Sequence, residues 1–189
     1  MPRAETNPEK PLLPQGAELA APPTRTKVYG SLILALSATL LPWADQIRWL
    51  VPDFTLMVLL YWNIRAPRLA GLGAAFTLGL VTDVARGVLM GLNALAYCSA
   101  TMVALLVQRR LEGFDAPRQT LQLAPLLFGK EVLVLTLGLM MGRVDADWRW
   151  LVAGLIAGLL WLPLAMLLDL ITGRPALSSQ TGVGSRNRS

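Results

Sequence analysis

Two carboxylates open the case for chemistry. Asp53 and Asp83 flank the apolar runs of PDFTLMVLLYWNIRAPRLAGLGAAFTLGLVTDVARGVLMGLNALAY, residues 52–97. If these runs form a hairpin, the two groups reach one depth, where carboxylates sharing a proton could cleave peptide bonds inside a membrane. An aspartyl-type intramembrane protease is therefore one reading. A cheaper one gives each residue a local task. Asp53 suits the positive end of a helix whose first turn holds Pro52, and Asp83 pairs with Arg86, three residues on along the same face. No other catalytic group accompanies the pair, so no catalytic residue is assigned.

Lys130 and Glu131 lie inside another apolar run, where ionised groups need a mate or water. Neighbours on a helix point about 100° apart, so the two are not expected to pair with each other. Lys130 is expected to snorkel towards the cytoplasm, which leaves Glu131 as the more demanding residue. Asp169, near the end of the last run, has Arg174 as its expected mate. Together with Asp83 and Asn93, Glu131 motivates a second alternative, a small-ligand-binding membrane transporter subunit with a pocket among its helices. Asn93 also has the chemistry to hydrogen-bond across helices, worth roughly a kcal/mol or less.

Histidine is absent, which removes His-based triads, His general bases and the usual zinc ligand sets. Cys98 is the sole cysteine, so no internal disulfide forms. No phosphate-cradling glycine loop, redox CxxC or nucleic-acid module is present. The sequence thus predicts neither a metal nor a cofactor site.

These residues need elements to hold them, and the composition says in which solvent. The 189 residues are 54% hydrophobic and only 15% charged, with a mean hydropathy of +0.50. A lipid bilayer is the environment such a chain fits. The net charge of +5 sits between apolar runs and in the tails, as in membrane proteins, rather than on a nucleic-acid face.

The predicted class is all-α, a polytopic membrane bundle of about six transmembrane helices at 28–43, 50–64, 69–84, 88–107, 121–141 and 148–172. Residues 1–26 form a Pro-rich, flexible tail that is not a signal peptide. The bundle occupies 27–172, and 173–189 is a second flexible tail. Trp43, Tyr61 and Trp62 suit the interfaces. Helices of about 16 residues cover roughly 24 Å of a roughly 30 Å layer, so they extend or the bilayer thins. With the N-terminus cytoplasmic, twelve basic residues fall inside and four, Arg48, Arg86, Arg143 and Arg149, outside. Both termini are therefore expected in the cytoplasm.

Three glycine pairs at Gly-x-x-x-Gly spacing, Gly87 with Gly91, Gly138 with Gly142 and Gly154 with Gly158, let helix backbones approach closely. The first two are expected to pack within the bundle. Packing within the bundle is the first reading for Gly154 and Gly158 too, but in the middle of the last helix they are also the pair best placed to dock a foreign helix. Pro163 in that helix frees a carbonyl and bends it beside Trp161.

The order of these features resembles a bacterial family, the rod shape-determining protein MreD. The matching residues are Pro42-Trp43, Pro52, Leu60-Tyr61-Trp62, Pro67-Arg68, Gly79 through Asp83, Gly87, Gly91 and Ala94-Leu95-Ala96. Gly158-Leu159-Leu160-Trp161 with Pro163 looks like the family's last helix. The similarity covers about residues 30–172, and the tail before Thr26 departs from the family's usual short N-terminus. Membership implies a non-enzymatic component of the bacterial inner membrane that scaffolds peptidoglycan synthesis for cell elongation. The implied partners are the bitopic scaffold MreC, the MreB filament and the polymerase and transpeptidase pair RodA and PBP2, besides membrane lipid. The implied fold is similar to the substrate-binding components of energy-coupling vitamin transporters, and no catalytic residues come with it.

Overall fold

A 12-residue helix, Phe54–Arg65, stands at the centre, and its sequence explains why. FTLMVLLYWNIR is apolar around nearly its whole circumference, so it has no face to offer water and is stable only when surrounded. In the computed structural model every residue from Thr55 to Ile64 is buried. The structure describes residues 24–44, 46–111, 116–142 and 148–172, with side chains at 108–119 outside that set. The tails at 1–23 and 173–189, Asp45, the 112–115 loop and the 143–147 turn lie outside the described residues.

In chain order the helices are α1 (Arg25–Leu40), α2 (Phe54–Arg65), α3 (Leu72–Arg86), α4 (Leu92–Leu111), α5 (Ala116–Met140) and α6 (Trp150–Thr172), with one 3-10 turn at Arg48–Leu50 before α2. The described residues thus form six α-helices, as the apolar runs predict. Helices α3 and α4 pack as one pair and α5 and α6 as another, while α2 touches α1, α3, α4 and α6. Two segments, Thr120–Met140 and Trp150–Thr172, are long and apolar enough to cross a membrane, and Leu92–Val107 is a shorter apolar helix. On α6, Leu155, Leu159, Leu170 and Ile171 face outwards, opposite the buried Ala157, Trp161 and Leu168.

Several boundaries differ from the sequence reading. Pro52 does not sit in the first turn of α2. It precedes Asp53, the N-cap, whose side chain accepts from Leu56 N–H at 3.1 Å. The missing amide of proline costs nothing just before a helix. Gly87 and Gly91 are not a helix face either. Both have left-handed backbone, φ 60° and 99°, and they build the turn from α3 to α4, a conformation that glycine adopts without steric penalty. Gly142 likewise has φ 73° and ends α5. Pro163 lies within a continuous α6.

Gly154 and Gly158 pack within the bundle, which leaves no docking face there. A Cβ at Gly154 would stand 3.0 Å from Phe128 Cα, and one at Gly158 would stand 2.9 Å from Ala124 Cβ. These glycines join α6 to α5 within the chain. Gly79 plays the same part for α3 and α4, where an added Cβ would meet Ala94 N at 2.7 Å. Small residues let the backbones close in, and dispersion then holds them where lipid offers no hydrophobic drive.

Candidate functional site

Among the described residues the buried charge gathers in three places, two of them joining helices distant in sequence and one joining the consecutive helices α3 and α4. The first is at the start of α2. Asp53 is only 5% exposed, and its Oδ2 takes the Tyr97 hydroxyl at 2.6 Å and Lys130 Nζ at 2.9 Å. Lys130 also meets Glu131 Oε1 at 3.0 Å. Its ammonium lies 5.9 Å from the Tyr97 ring centre, close enough for the ring face to attract it.

This geometry corrects two expectations. Lys130 does not snorkel to the cytoplasm but points into the bundle, because Asp53 offers a fixed counter-charge there. Lys130 and Glu131 do pair, since the long, flexible lysine stem spans the angular gap that their neighbouring positions impose. One lysine thus serves two carboxylates, and the triad keeps one negative charge over.

The second place is the α3–α4 turn. Asp83 is fully buried but makes no ion pair with Arg86 among the described residues. Its carboxylate accepts from the backbone N–H groups of Gly91 (3.0 Å), Asn93 (2.8 Å) and Ala94 (3.2 Å), and from the Asn93 amide Nδ2 at 2.8 Å. These donors are orphans at the start of α4. Asp83 is a cap supplied from the preceding helix, and the positive end of the α4 dipole favours its charge. The left-handed turn at Gly87 and Gly91 brings the chain back to reach it. Asn93 bonds across helices as expected.

At the opposite end of α2, Asp169 of α6 takes the Tyr61 hydroxyl at 2.7 Å and Arg65 at 3.3 Å. Arg65 lies 5.8 Å from the Tyr61 ring centre. Arg174, the mate expected from sequence, lies outside the described residues. Short side-chain bonds also join α1 to α2. Thr39 joins Thr55 at 3.0 Å, and Trp62 Nε1 donates to Ser31 at 2.7 Å.

The two aspartates invoked for peptide cleavage therefore have separate partners. Asp53 is held by a lysine and a tyrosine, and Asp83 by an amide cluster. Sequence reasoning missed Tyr97 as a partner of Asp53, and it read Tyr61 as an interfacial group only. A usable signal was the number of buried acids, each of which needed a donor in a chain without histidine.

Beside Asp53 opens a cavity of about 230 Å3, lined by Arg48, Asp53, Arg86, Lys130, Glu131 and Arg149 with Trp49, Val51, Trp150 and Ala153. Asp83 and Asn93 do not line it. Pro52 does not line it either, and Trp161 is in the core at 1% exposure.

Comparison with known proteins adds the lineage. A family model described as rod shape-determining protein MreD matches residues 27–171. The chain is similar to the rod shape-determining protein MreD of Haemophilus influenzae, 26% identical over 129 residues, which is 68% of this chain and 80% of that protein. No solved structure matches.

Proposed function

The chain belongs to the MreD family of rod shape-determining membrane proteins, and from that premise we propose that it is a non-enzymatic scaffold for peptidoglycan synthesis during cell elongation. In this reading all six helices span the inner membrane with both termini in the cytoplasm. The architecture is akin to the substrate-binding components of energy-coupling vitamin transporters, and MreC, MreB, RodA and PBP2 are the partners.

One observation carries the reading: among the described residues, the buried charged groups find their partners within the bundle, on other helices. Asp53 with Lys130 and Asp169 with Arg65 tie α2 to α5 and to α6, while Asp83 ties α3 to α4. Ionic and amide bonds placed between helices hold one geometry, which suits a part whose task is to present fixed surfaces. The apolar outer face of α6 suits lipid or a partner helix.

Depletion in a rod-shaped host tests the proposal directly. Cells are expected to round up, and MreC is expected to co-purify with the intact protein in mild detergent. Normal rods with unchanged MreC partitioning would overturn it. Reporter fusions at the two termini are expected to give the same cytoplasmic signal, and opposite signals would remove the six-span arrangement.

A further inference from the structure

We propose that the cavity above the start of α2 is an anion site that takes a phosphate or diphosphate group, carried by a lipid headgroup or free in solution. This goes beyond the scaffold role and does not depend on it.

The cavity follows from helix lengths. A 12-residue α2 is about 18 Å long, whereas the 25-residue α5 is about 37 Å. The central helix is therefore shorter than α5 by several turns, and Asp53 at its N-terminus is buried inside the bundle. The space left above it is the cavity of about 230 Å3. One water occupies roughly 30 Å3 of liquid, so there is room for a phosphate group with its hydrogen-bonding oxygens.

The charge of the lining selects the ligand. Arg48, Arg86, Arg149 and Lys130 face two carboxylates, Asp53 and Glu131. Lys130 is occupied by both acids, at 2.9 and 3.0 Å. The positive charge open to a ligand thus resides on Arg48 and Arg86. Arg48 and Arg86 form no ion pair among the described residues. Three of the four arginines that the charge count sets apart from the cytoplasmic ones, Arg48, Arg86 and Arg149, line this one cavity. Convergence of the exceptions on one cavity is what a ligand explains.

Guanidinium forks, here those of Arg48 and Arg86, match phosphate oxygens in geometry. Trp49 and Trp150 also line the cavity, and indoles of this kind settle at the headgroup level of a bilayer. The floor is buried side chain, with Lys130 at 4% exposure and Glu131 at 6%. Such a recess admits a compact group and not an extended peptide.

The test uses the full chain in nanodiscs and follows its thermal unfolding midpoint. Inorganic pyrophosphate added to phosphatidylcholine discs, and phosphatidic acid mixed into the discs, are the two arms. A saturable rise with either supports the site. A rise with phosphatidic acid alone assigns a lipid headgroup, and a rise with pyrophosphate alone assigns a soluble ligand. Arg86→Gln is expected to weaken binding about tenfold, the loss of one charge-assisted contact, with Arg86→Lys in between. Arg48→Gln, at an exposed position, repeats the test should Arg86→Gln fail to fold. No rise in either arm, unchanged affinity in folded Arg86→Gln and Arg48→Gln, or a rise only with a glutamate-rich peptide would each overturn the proposal.

Discussion

Lys130, midway along α5, reaches Asp53 at the start of α2 at 2.9 Å, and both side chains are almost wholly shielded. A buried ion pair gives modest net stability when intact, yet breaking it strands a charge. Lys130 holds two carboxylates at once, so its loss leaves two like charges facing each other.

Lys130→Met is therefore expected to destabilise the bundle by about 3–5 kcal/mol. Adding Asp53→Asn to that variant should restore part of the loss, because only Glu131 then remains without its mate. Equilibrium unfolding in mixed detergent micelles, arranged as a double-mutant cycle, measures the coupling. Strictly additive effects would show that the two residues do not interact.

Asp83 makes a different kind of bond, and charge and shape can be separated there. Asp83→Asn keeps an acceptor for the α4 amides and is expected to lose about 1–2 kcal/mol, whereas Asp83→Ala leaves several buried N–H groups without a partner and should lose more. Hydrogen exchange at Gly91, Asn93 and Ala94 reads the cap itself. Unchanged protection in Asp83→Ala would contradict the assignment.

The close approach of α3 and α4 at Gly79 leaves no room for a side chain, since an added Cβ would meet Ala94 backbone atoms. Gly79→Ala is expected to cost about 1–3 kcal/mol through forced backbone movement. Gly73→Ala, on the same helix with nothing within 4 Å, is the control and should be neutral or slightly stabilising. Equal melting of the two variants would rule out the tight contact.

At the other end of the core, Tyr61→Phe removes the hydroxyl that donates to Asp169 at 2.7 Å. The expected loss is about 1.5–3 kcal/mol, the range for a hydrogen bond to a charged group. In an Asp169→Asn background the same change should cost less. An undiminished effect there would place the contribution of Tyr61 in its packing.

Much of this fold was legible from residue order. Long apolar runs broken by glycine, proline and arginine name six helices, because hydropathy and turn chemistry are local properties. Helix ends shifted by a few residues, as with Pro52 and Gly87, because caps depend on which side chain arrives to accept the free amides.

The partners of the charges are a different matter. The sequence by itself determined that Asp53, Asp83, Lys130, Glu131 and Asp169 need company in an apolar medium. Only the tertiary structure decided that Lys130 turns inward to Asp53, that Asp83 caps α4 instead of pairing with Arg86, and that Gly154 and Gly158 are filled by α5. The reason is physical: need follows from solvation, a property of each residue and its neighbours in sequence, while pairing follows from the relative positions of helices. Those positions are set by the whole core at once.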